Sequence, residues 1–563
     1  MKIIIIGGVA GGASAAARLR RLDEHAEITI YERSGYVSYA NCGLPYYIGG
    51  VITERSELTL KTPQSFMSRF NIDVKVRHEV TDIDTTAKTV TIHDLENDVR
   101  FTDSYDKLIL APGAKATLPP FPVPDSARIF TLRTVEDTLA AREMIDTSKP
   151  SSAVIVGGGY IGLEMAENLA GLGMHVSIVQ RPKHLLKTLD SDMASLLHAK
   201  LRKKGIDLVL GKSVQSITTD GDEIVTTIAD AGELRSDIVL LALGVTPDTE
   251  LASKAGIMLG TKGSIAVNER METSAEGVYA VGDAVEVENF VSGKKVLISL
   301  AGPANKQGRI AADNICGGYS RYAGTIGTSI IKVFDMTVAS AGLTEASARE
   351  LGFDCEAFVL SPASHASYYP GSKSLTIKIV FERGTMKLLG AQIIGYDGVD
   401  KRMDVIVTAI RLGADAVSLK DFELSYAPPF GSAKDPVNLA GFMAENLATG
   451  KYKQFFAEDV PSLPRNGSVT LLDTRTPKEY ETGRIEGFIN IPLDELRDRH
   501  SELPEGKPIY VHCQSGLRSY IACRMLMQYG YECYNLSGGY GFYKSVMLEQ
   551  LAAESSWPCG MEK

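Results

Sequence analysis

Two stretches of the chain start with an apolar run that ends at a cluster of glycines. Ile3 to Ile6 precede a glycine pair and an alanine-rich segment over residues 13–22. Ala153 to Val156 precede three consecutive glycines and a segment that continues to about Leu172. A short apolar run bounded by turn residues is typical of a buried parallel strand, and the segment after it is typical of a helix. The pattern predicts two strand–turn–helix units about 150 residues apart.

Both glycine turns suit the binding of a dinucleotide. Glycines let the backbone approach a pyrophosphate, and the N-terminus of the next helix offers free amides and a positive dipole end. The first turn departs from the G-x-G-x-x-G fingerprint, because Val9 takes the middle place between Gly7 and Gly12. The second turn keeps all three glycines, namely Gly157, Gly159 and Gly162.

The strand that follows each unit ends in a different residue type. The strand over 28–31 ends at Glu32, whose carboxylate suits a ribose hydroxyl pair. The strand over 175–179 is followed by Gln180 and Arg181. An acidic residue that selects NADH is therefore missing, and an arginine that suits a 2′-phosphate is present. The choice between NADH and NADPH stays open.

A third segment indicates a flavoprotein. Residues 277–284 form a short strand that ends in Gly282 and Asp283. It resembles the second FAD-binding motif of flavoproteins with two dinucleotide domains, in which the aspartate binds the ribityl chain. Residues 110–114 and 243–247 resemble the crossover strands between those domains.

The chain is therefore similar to the pyridine nucleotide-disulfide reductases. This resemblance implies that FAD binds the first glycine turn and that NAD(P)H binds the second, near Tyr160 and Glu164.

A single cysteine, Cys42, follows the first unit in the segment Ser-Tyr-Ala-Asn-Cys-Gly-Leu-Pro. The disulfide reductases carry a Cys-x-x-x-x-Cys pair here, but this chain has no second cysteine before Cys316. A lone thiol cannot close an internal disulfide, so its oxidised form is a mixed disulfide with a small thiol or an oxygen adduct. The relatives with one such cysteine are coenzyme A-disulfide reductases and NADH oxidases or peroxidases.

The segment around Cys42 resembles the active-site motif of coenzyme A-disulfide reductases. The peroxidase branch carries a histidine in the first glycine turn, where this chain has Ala10. Independently, three polar residues at i, i+4 and i+7 share a helix face and suit coenzyme A phosphates, although a solvated face is the simpler alternative. The expected coenzyme A contacts, from this face and from the resemblance, are Ser14, Arg18, Arg21, Ser38, Asn41 and Lys434.

Two tyrosine-containing segments, 365–371 and 425–429, also resemble coenzyme A-disulfide reductases. In that family such segments deliver tyrosines from the partner subunit to the active-site sulfur. The resemblance implies a homodimer and gives this role to Tyr368 and Tyr426. A neutral phenol donates a hydrogen bond to a leaving thiolate or protonates it.

A second sulfur site is expected near the end of the chain. Residues 513–518 form a six-residue loop between a strand and a helix, starting at Cys513 and ending at Arg518. Backbone amides, the helix dipole and the arginine lower the pKa of such a thiol and stabilise a persulfide. The flanking segments 471–475 and 536–539 resemble rhodanese signatures.

These observations predict an α/β chain with two Rossmann-like dinucleotide-binding domains, an α+β dimerisation domain and a C-terminal α/β rhodanese domain. The expected boundaries are 1–114 and 245–322 for the FAD domain, 115–244 for the NAD(P) domain, 323–450 for the dimerisation domain, 451–464 for a linker and 465–555 for the rhodanese domain.

Composition limits the remaining function classes. A net charge of −10 and the absence of an apolar stretch of about 18 residues argue against nucleic acid and membrane partners. Seven cysteines without framework spacing indicate a reducing, cytoplasmic setting and no metal site. The cysteines without a motif are expected to be packing or surface residues, namely Cys316, Cys355, Cys523, Cys533 and Cys559.

The predicted function is an FAD-dependent NAD(P)H:coenzyme A-disulfide or coenzyme A-persulfide (polysulfide) reductase, with Cys42 as redox thiol and Cys513 as sulfur carrier. Two alternatives remain. One is an NADH oxidase or peroxidase with a sulfenic acid at Cys42, and the other is a sulfurtransferase with a flavin module as redox sensor.

Overall fold

The computed structural model describes residues 1–554, which form two compact units. The first contains Met1–Arg181 and Lys212–Gly327, and the second contains Pro182–Gly211 and the chain from Thr328 onward. Cys559 and the predicted rhodanese end at residue 555 lie outside the described residues.

The first unit is built on a parallel five-stranded sheet. Ile3, Ile4 and Ile5 are fully buried, which explains why the first strand is a continuous apolar run. Two helices, Ala10–Leu22 and Ala301–Ile315, pack on each other so closely that a Cβ at Gly308 would lie 2.3 Å from the Gly11 carbonyl oxygen. The strand order is Val278–Ala280, Lys107–Leu110, Lys2–Ile6, Glu27–Glu32, Asp73–Val76.

A second parallel sheet carries the other glycine turn. Its paired strands in the first unit are His175–Gln180, Ser152–Val156, Ile238–Leu241 and Ile129–Phe130. Its helices are Val135–Ser148 and Tyr160–Gly171. The predicted crossover segments pair as antiparallel strands, Ala114–Ala116 with Val245–Pro247.

The first unit also contains smaller elements. Its antiparallel strands are His78–Asp84, Thr89–Asp94 and Val99–Ser104, then Val214–Asp220, Glu223–Ile228 and Gly232–Ser236, then Glu286–Glu288 and Lys295–Leu297. Its short helices are Asn41–Gly43, Leu44–Ile48, Arg55–Leu58, Pro63–Phe70, Glu250–Lys254, Thr261–Gly263 and Gly282–Ala284.

The second unit holds an antiparallel five-stranded sheet. Its order is Ser329–Val333, Met336–Gly342, Leu388–Gly395, Thr376–Glu382, Cys355–Leu360. The helices and the remaining strand of this part are Ser191–Lys203, Asp207–Leu210, Glu345–Glu350, Val399–Leu412, Val417–Asp421 and Pro436–Ala448.

A parallel sheet follows in the same unit. Its order is Gln454–Phe455, Cys533–Leu536, Ile509–His512, Thr470–Asp473, Ile489–Asn490. The accompanying helices are Ala457–Ser462, Pro477–Glu481, Leu496–Arg499, His500–Glu502, Leu517–Gln528 and Gly539–Glu554. Together the sheets confirm the predicted mixed α/β fold class.

Residues 451–464, predicted to be a linker, differ from that expectation. They supply the edge strand Gln454–Phe455 of the last sheet. Tyr452 and Phe455 are each only 4% exposed, and Val460 is buried beside them in the chain. The charged residues and prolines of this segment indicated a linker, although it also contains the apolar residues that attach it to the sheet.

A buried ion cluster ties parts of the second unit together. The Lys378 ammonium lies 3.2 Å from Asp190, 2.9 Å from Asp192 and 3.0 Å from Glu345, and its side chain is 4% exposed. Although burial opposes both charges, the ion pair raises the pKa of Lys378 and lowers that of Asp190. Asp190 also accepts hydrogen bonds from the backbone amides of Glu345 and Ala346, so the cluster fixes two helix starts to one strand.

Replacing Lys378 by methionine should destabilise the second unit. Methionine has a side chain of similar length, but it leaves the buried carboxylates without a cation. Such a loss typically lowers the free energy of unfolding by about 3–5 kcal/mol. We expect a clearly lower midpoint of thermal unfolding, followed by calorimetry, whereas Lys387→Met at an exposed position should change it little. Equal midpoints for the two variants would show that the cluster contributes nothing to stability.

Candidate functional sites

The first glycine of each turn has a conformation that requires glycine. Gly7 has φ +94° and Gly157 has φ +118°. A Cβ would lie 2.1 Å from the Ala111 carbonyl oxygen at Gly7, and 2.2 Å from that of Ala242 at Gly157. Both turns therefore pass directly over the end of a neighbouring strand.

The third glycine of each turn lets the helix approach its own strand. A Cβ at Gly12 would lie 1.9 Å from the Gly7 oxygen, and a Cβ at Gly162 would lie 2.0 Å from the Gly157 oxygen. The middle position is different, because Val9 has φ −98° and Gly159 has φ −85°. Neither position has the positive φ that favours glycine, so the first turn accommodates a valine there.

In both units, the side chain at the end of the second strand accepts a hydrogen bond from the glycine turn. The Gly8 amide donates to Glu32 Oε2 at 2.9 Å, and the Gly158 amide donates to Gln180 Oε1 at 2.9 Å. Burial raises the pKa of Glu32, although the Gly8 and Ser34 amides oppose the rise. Arg181, the next residue after Gln180, is exposed. Both cradles fit a dinucleotide, and the second differs from the first in being neutral at the strand end.

The predicted FAD aspartate is held by an arginine that the sequence did not single out. Asp283 lies in the short helix Gly282–Ala284, and its carboxylate accepts a hydrogen bond from Arg133 at 2.8 Å. The Gly282 amide donates to Gln307 at 2.7 Å. Arg133 is about 150 residues earlier in the chain, so no local pattern announces this pair.

Cys42 lies in the short helix Asn41–Gly43 and is exposed. Partial desolvation of its sulfur raises the pKa of the thiol, the carboxylates of Glu164 and Asp283 add to the rise, and Arg133 opposes it. Three residues predicted separately, Cys42, Glu164 and Asp283, are therefore close enough to interact. Asn41 Oδ1 is buried without a hydrogen-bond partner, which suits a ligand contact.

A cleft of about 380 Å³ contains four of the predicted coenzyme A residues, Ser14, Arg18, Arg21 and Ser38. Arg18 Nε also binds Asp313 at 2.6 Å, which fixes its position. Two further cations and an amide line the cleft and were missed because they are remote in sequence, namely Lys61, Arg309 and Asn305. Lys434 is an exposed residue of the second unit.

The predicted tyrosine pair forms in the second unit. The hydroxyls of Tyr368 and Tyr426 are 3.0 Å apart, and the two residues are 74% and 48% exposed. Their hydrogen bond raises the pKa of Tyr368, so its phenol stays protonated at neutral pH. The ring of Tyr369 instead lies edge-on to His365 with centroids 5.8 Å apart.

Cys513 is fully buried at the start of its loop. Its sulfur accepts hydrogen bonds from the Gly516 amide and the Ser519 hydroxyl, each at 3.2 Å. Gly516 has φ +94°, and a Cβ at Gly539 would lie 2.6 Å from the Gly516 nitrogen, so the segment that resembles the rhodanese closure packs directly on the loop. Ser519 was not predicted, since its role depends on the helix turn that follows the loop.

Arg518 is oriented by a carboxylate. It donates two hydrogen bonds of 2.7 Å to Glu479. These bonds lower the pKa of Glu479 to about 2, with the backbone and hydroxyl of Thr476 contributing. Arg518 also interacts electrostatically with Cys513. The predicted arginine is thus near the thiol and fixed by a bidentate ion pair.

Family comparisons agree with this architecture. The model of the pyridine nucleotide-disulphide oxidoreductases matches residues 1–308, that of their dimerisation domain matches 328–436, and that of rhodanese-like domains matches 456–545. The chain belongs to the pyridine nucleotide-disulphide oxidoreductase family. It is a flavin-dependent oxidoreductase that uses a pyridine nucleotide and carries a C-terminal rhodanese domain.

Three relatives each match most of this chain and nearly all of their own length. The coenzyme A disulfide reductase of Staphylococcus haemolyticus is 37% identical over 79% of this chain and 100% of its own length. The reduced CoADR-RHD protein of Bacillus anthracis is 45% identical, with a TM-score of 0.94 over 97% of this chain and 98% of the other. The NAD-dependent persulfide reductase from A. fulgidus is 37% identical, with a TM-score of 0.91 over 96% and 100% of the two chains.

Residues 1–554 contain neither a metal-binding cluster nor a membrane-spanning helix. No group of three or more histidine, cysteine or acidic side chains is arranged there to hold a metal ion. No helix in this range has the length and apolar composition needed to cross a membrane.

A side chain at Gly162 should impair nicotinamide binding selectively. The added Cβ of Gly162→Ala forces the helix away from the Gly157 carbonyl, and each ~1.4 kcal/mol of such strain weakens binding about tenfold. Stopped-flow reduction of the flavin should show a higher Kd for NAD(P)H with FAD retained. Gly171→Ala in the same helix, where a Cβ meets no atom within 4 Å, is the matched control. Similar Kd values for both variants would contradict this account of the cradle.

Proposed function

We propose that the protein is an FAD-dependent NAD(P)H:coenzyme A-disulfide and coenzyme A-persulfide (polysulfide) reductase whose rhodanese domain carries sulfane sulfur. The observation that carries the proposal is Cys42, a single exposed thiol with Glu164, Asp283 and Arg133 around it. The names of the S. haemolyticus and A. fulgidus relatives support it. Likeness to a persulfide reductase over nearly the whole chain favours it over an oxidase, peroxidase or redox sensor.

The cofactors have defined places in this proposal. FAD is assigned to the first cradle, through Gly7, Val9, Gly12, Glu32, Gly282 and Asp283. NAD(P)H is assigned to the second, through Gly157, Gly159, Tyr160, Gly162, Glu164, Gln180 and Arg181. When bound, FAD supplies to the sulfur site the two electrons that it takes from NAD(P)H. The neutral Gln180 and exposed Arg181 support the use of NADPH as well as NADH.

The chemistry of the chain itself starts at the Cys42 thiolate. It attacks the coenzyme A sulfur of a disulfide or persulfide, so that one S–S bond breaks and a Cys42–coenzyme A disulfide forms. The leaving group is a thiolate or hydrosulfide, which takes up one proton. Basic residues of the cleft, Arg18, Arg21, Lys61 and Arg309, suit the phosphates of coenzyme A. Ser14, Ser38, Asn41 and Lys434 are assigned to the same ligand.

The proton donor to the leaving sulfur is assigned to the tyrosine pair. Tyr368 and Tyr426 are exposed, and their hydrogen bond raises the pKa of Tyr368, so the pair suits a site that lies outside its own domain. We infer a homodimer in which this pair acts on Cys42 of the other subunit. Matching of the dimerisation-domain model to residues 328–436 supports this assembly.

Cys513 is assigned to sulfur transport. A persulfide on this thiol is stabilised by the Gly516 amide, the Ser519 hydroxyl and the Arg518 guanidinium. Its outer sulfur passes to a coenzyme A thiolate and gives coenzyme A persulfide, the substrate of Cys42. Free thiols at both sites suit a reducing cytoplasm.

Serine substitutions should separate the two sulfur sites. Cys42→Ser should abolish NAD(P)H-dependent reduction of coenzyme A disulfide while FAD stays bound, because electrons then have no sulfur outlet. Cys513→Ser should keep that activity and lose thiosulfate or persulfide sulfurtransfer. The measurements are NAD(P)H oxidation and hydrosulfide release with each substrate.

Cys316→Ser is the matched control, since this thiol is half-buried and has no assigned role. Retained disulfide reduction in Cys42→Ser would refute the proposed function. Loss of both activities in Cys513→Ser would instead show one obligatory relay between the sites.

A further inference from the structure

The strand Cys355–Leu360 forms one edge of the antiparallel sheet in the second unit. It pairs with Thr376–Glu382 on one side, so alternate backbone groups on its other side point away from the sheet. An edge of this kind is open to pairing with other backbone unless something covers it. In this protein the cover comes from the part of the chain that carries Cys513.

Residues in and next to the last parallel sheet bind this edge strand through hydrogen bonds. The Val359 amide donates to Ser537 Oγ at 2.9 Å, and the Val359 carbonyl accepts from the Gly538 amide at 3.1 Å. Gln454 Nε2 donates to the Ala357 carbonyl at 2.9 Å, two residues earlier on the same edge. Val359 and Ser537 are 4% and 2% exposed, so water has little access to their hydrogen bond.

A partly buried ion pair anchors the helix that starts just after this contact. Arg202 donates to the two carboxylate oxygens of Glu549 at 2.6 and 3.1 Å. His198 Nδ1 lies 3.0 Å from the same carboxylate, and its side chain is fully buried. The two basic residues belong to the helix Ser191–Lys203, and Glu549 belongs to the helix Gly539–Glu554. The last helix is therefore held near both of its ends.

The segment that binds the edge strand also shapes the Cys513 loop. A Cβ at Gly539 would lie 2.6 Å from the Gly516 nitrogen. The Tyr540 amide donates to the Cys513 carbonyl at 2.8 Å, and the Gly541 amide donates to the next carbonyl of the loop at 3.0 Å. The Gly516 amide in turn donates to the Cys513 sulfur at 3.2 Å. Residues 537–541 thus connect the edge strand to the reacting atom through contacts of backbone groups.

We propose that Val359 of the dimerisation domain is a positioning residue for sulfur transfer at Cys513. The inference rests on the proposed role of Cys513 as sulfur carrier. Docking on the edge strand fixes residues 537–541, these residues fix the loop, and the loop directs the Gly516 amide to the sulfur. A displaced amide stabilises a persulfide anion less well, because the anion then lacks a donor.

This arrangement determines which partner moves during sulfur transfer. A rhodanese domain that left the edge strand to reach a distant acceptor would lose the contacts that order its loop. Transfer therefore takes place from the docked domain, and the acceptor thiolate comes to Cys513.

Substitutions on the two sides of one hydrogen bond test the proposal in the full-length holoenzyme. Val359→Pro removes the amide donor at an edge position, where sheets tolerate proline, and Ser537→Ala removes the acceptor. In both variants kcat for thiosulfate sulfurtransfer should fall by about fivefold or more, with KM changed less, because the loss acts on the sulfur and not on thiosulfate binding. The double variant should be no less active than the less active single variant, since both substitutions remove the same bond.

Hydrogen exchange followed by mass spectrometry measures the loop without any sulfur substrate. Amides of the peptide that contains residues 513–519 should exchange faster in Val359→Pro and in Ser537→Ala, because the loop opens more often. Two controls should resemble the wild type in exchange and in sulfurtransfer. Val359→Ala keeps the backbone amide, and Ser462→Ala removes an exposed hydroxyl that donates to the Asp459 carbonyl. Reduction of coenzyme A disulfide should be unchanged in all four variants.

Several results would overturn the positioning role of Val359. These are wild-type sulfurtransfer or wild-type loop exchange in Val359→Pro and Ser537→Ala, additive losses in the double variant, or an equal loss in Val359→Ala. If Val359→Pro does not fold, the same two measurements on Ser537→Ala decide. Absence of sulfurtransfer in the wild type would instead refute the role of Cys513. Loop exchange needs no sulfur substrate, so it distinguishes the two failures.

Discussion

Contacts between backbone and backbone, possible only where a side chain is absent, control the geometry of the flavin half. Gly7, Gly12, Gly157 and Gly162 each lie so close to a carbonyl oxygen that a Cβ would fall about 2 Å from it. These contacts fix the helix N-termini at the ends of the parallel sheets. Gly49 differs from these four, because a Cβ there would lie 1.9 Å from the Asn168 side-chain oxygen. The positions of the two cradles thus follow from one steric constraint.

The two thiols solve different chemical problems with different surroundings. Cys42 is exposed and lies among groups that raise its pKa, so it needs a proton acceptor to become a nucleophile. Cys513 is buried but receives hydrogen bonds directly on its sulfur, which suits the storage of a persulfide. An exposed thiol can exchange with coenzyme A, whereas a buried one protects a labile sulfur from other acceptors.

Local sequence patterns predicted much of the fold and both sulfur loops. The glycine turns, the Gly282–Asp283 strand end and the six-residue loop at Cys513 are each a short continuous segment. Their geometry therefore depends on a few neighbouring residues. Long-range partners were missed for the opposite reason. Arg133 reaches Asp283 across 150 residues, and Lys61 and Arg309 meet only in the folded cleft.

Residues 451–464 show a further limit of composition. Charged residues and prolines in the segment indicate a linker, yet it pairs with Cys533–Leu536 and buries Tyr452 and Phe455. A strand of two residues is too short for alternating burial to give a periodic signal in the sequence. The segment is therefore part of the last parallel sheet and not a free tether.

The central claim is that oxidised Cys42 carries coenzyme A, and mass spectrometry of the intact protein tests it directly. The reduced enzyme, freed of NAD(P)H and treated with coenzyme A disulfide, should gain the mass of one coenzyme A, located on the Cys42 peptide and released on addition of NAD(P)H. Cys42→Ser should gain nothing under the same conditions. An oxygen adduct on Cys42, or coenzyme A bound only at Cys513, would contradict the account.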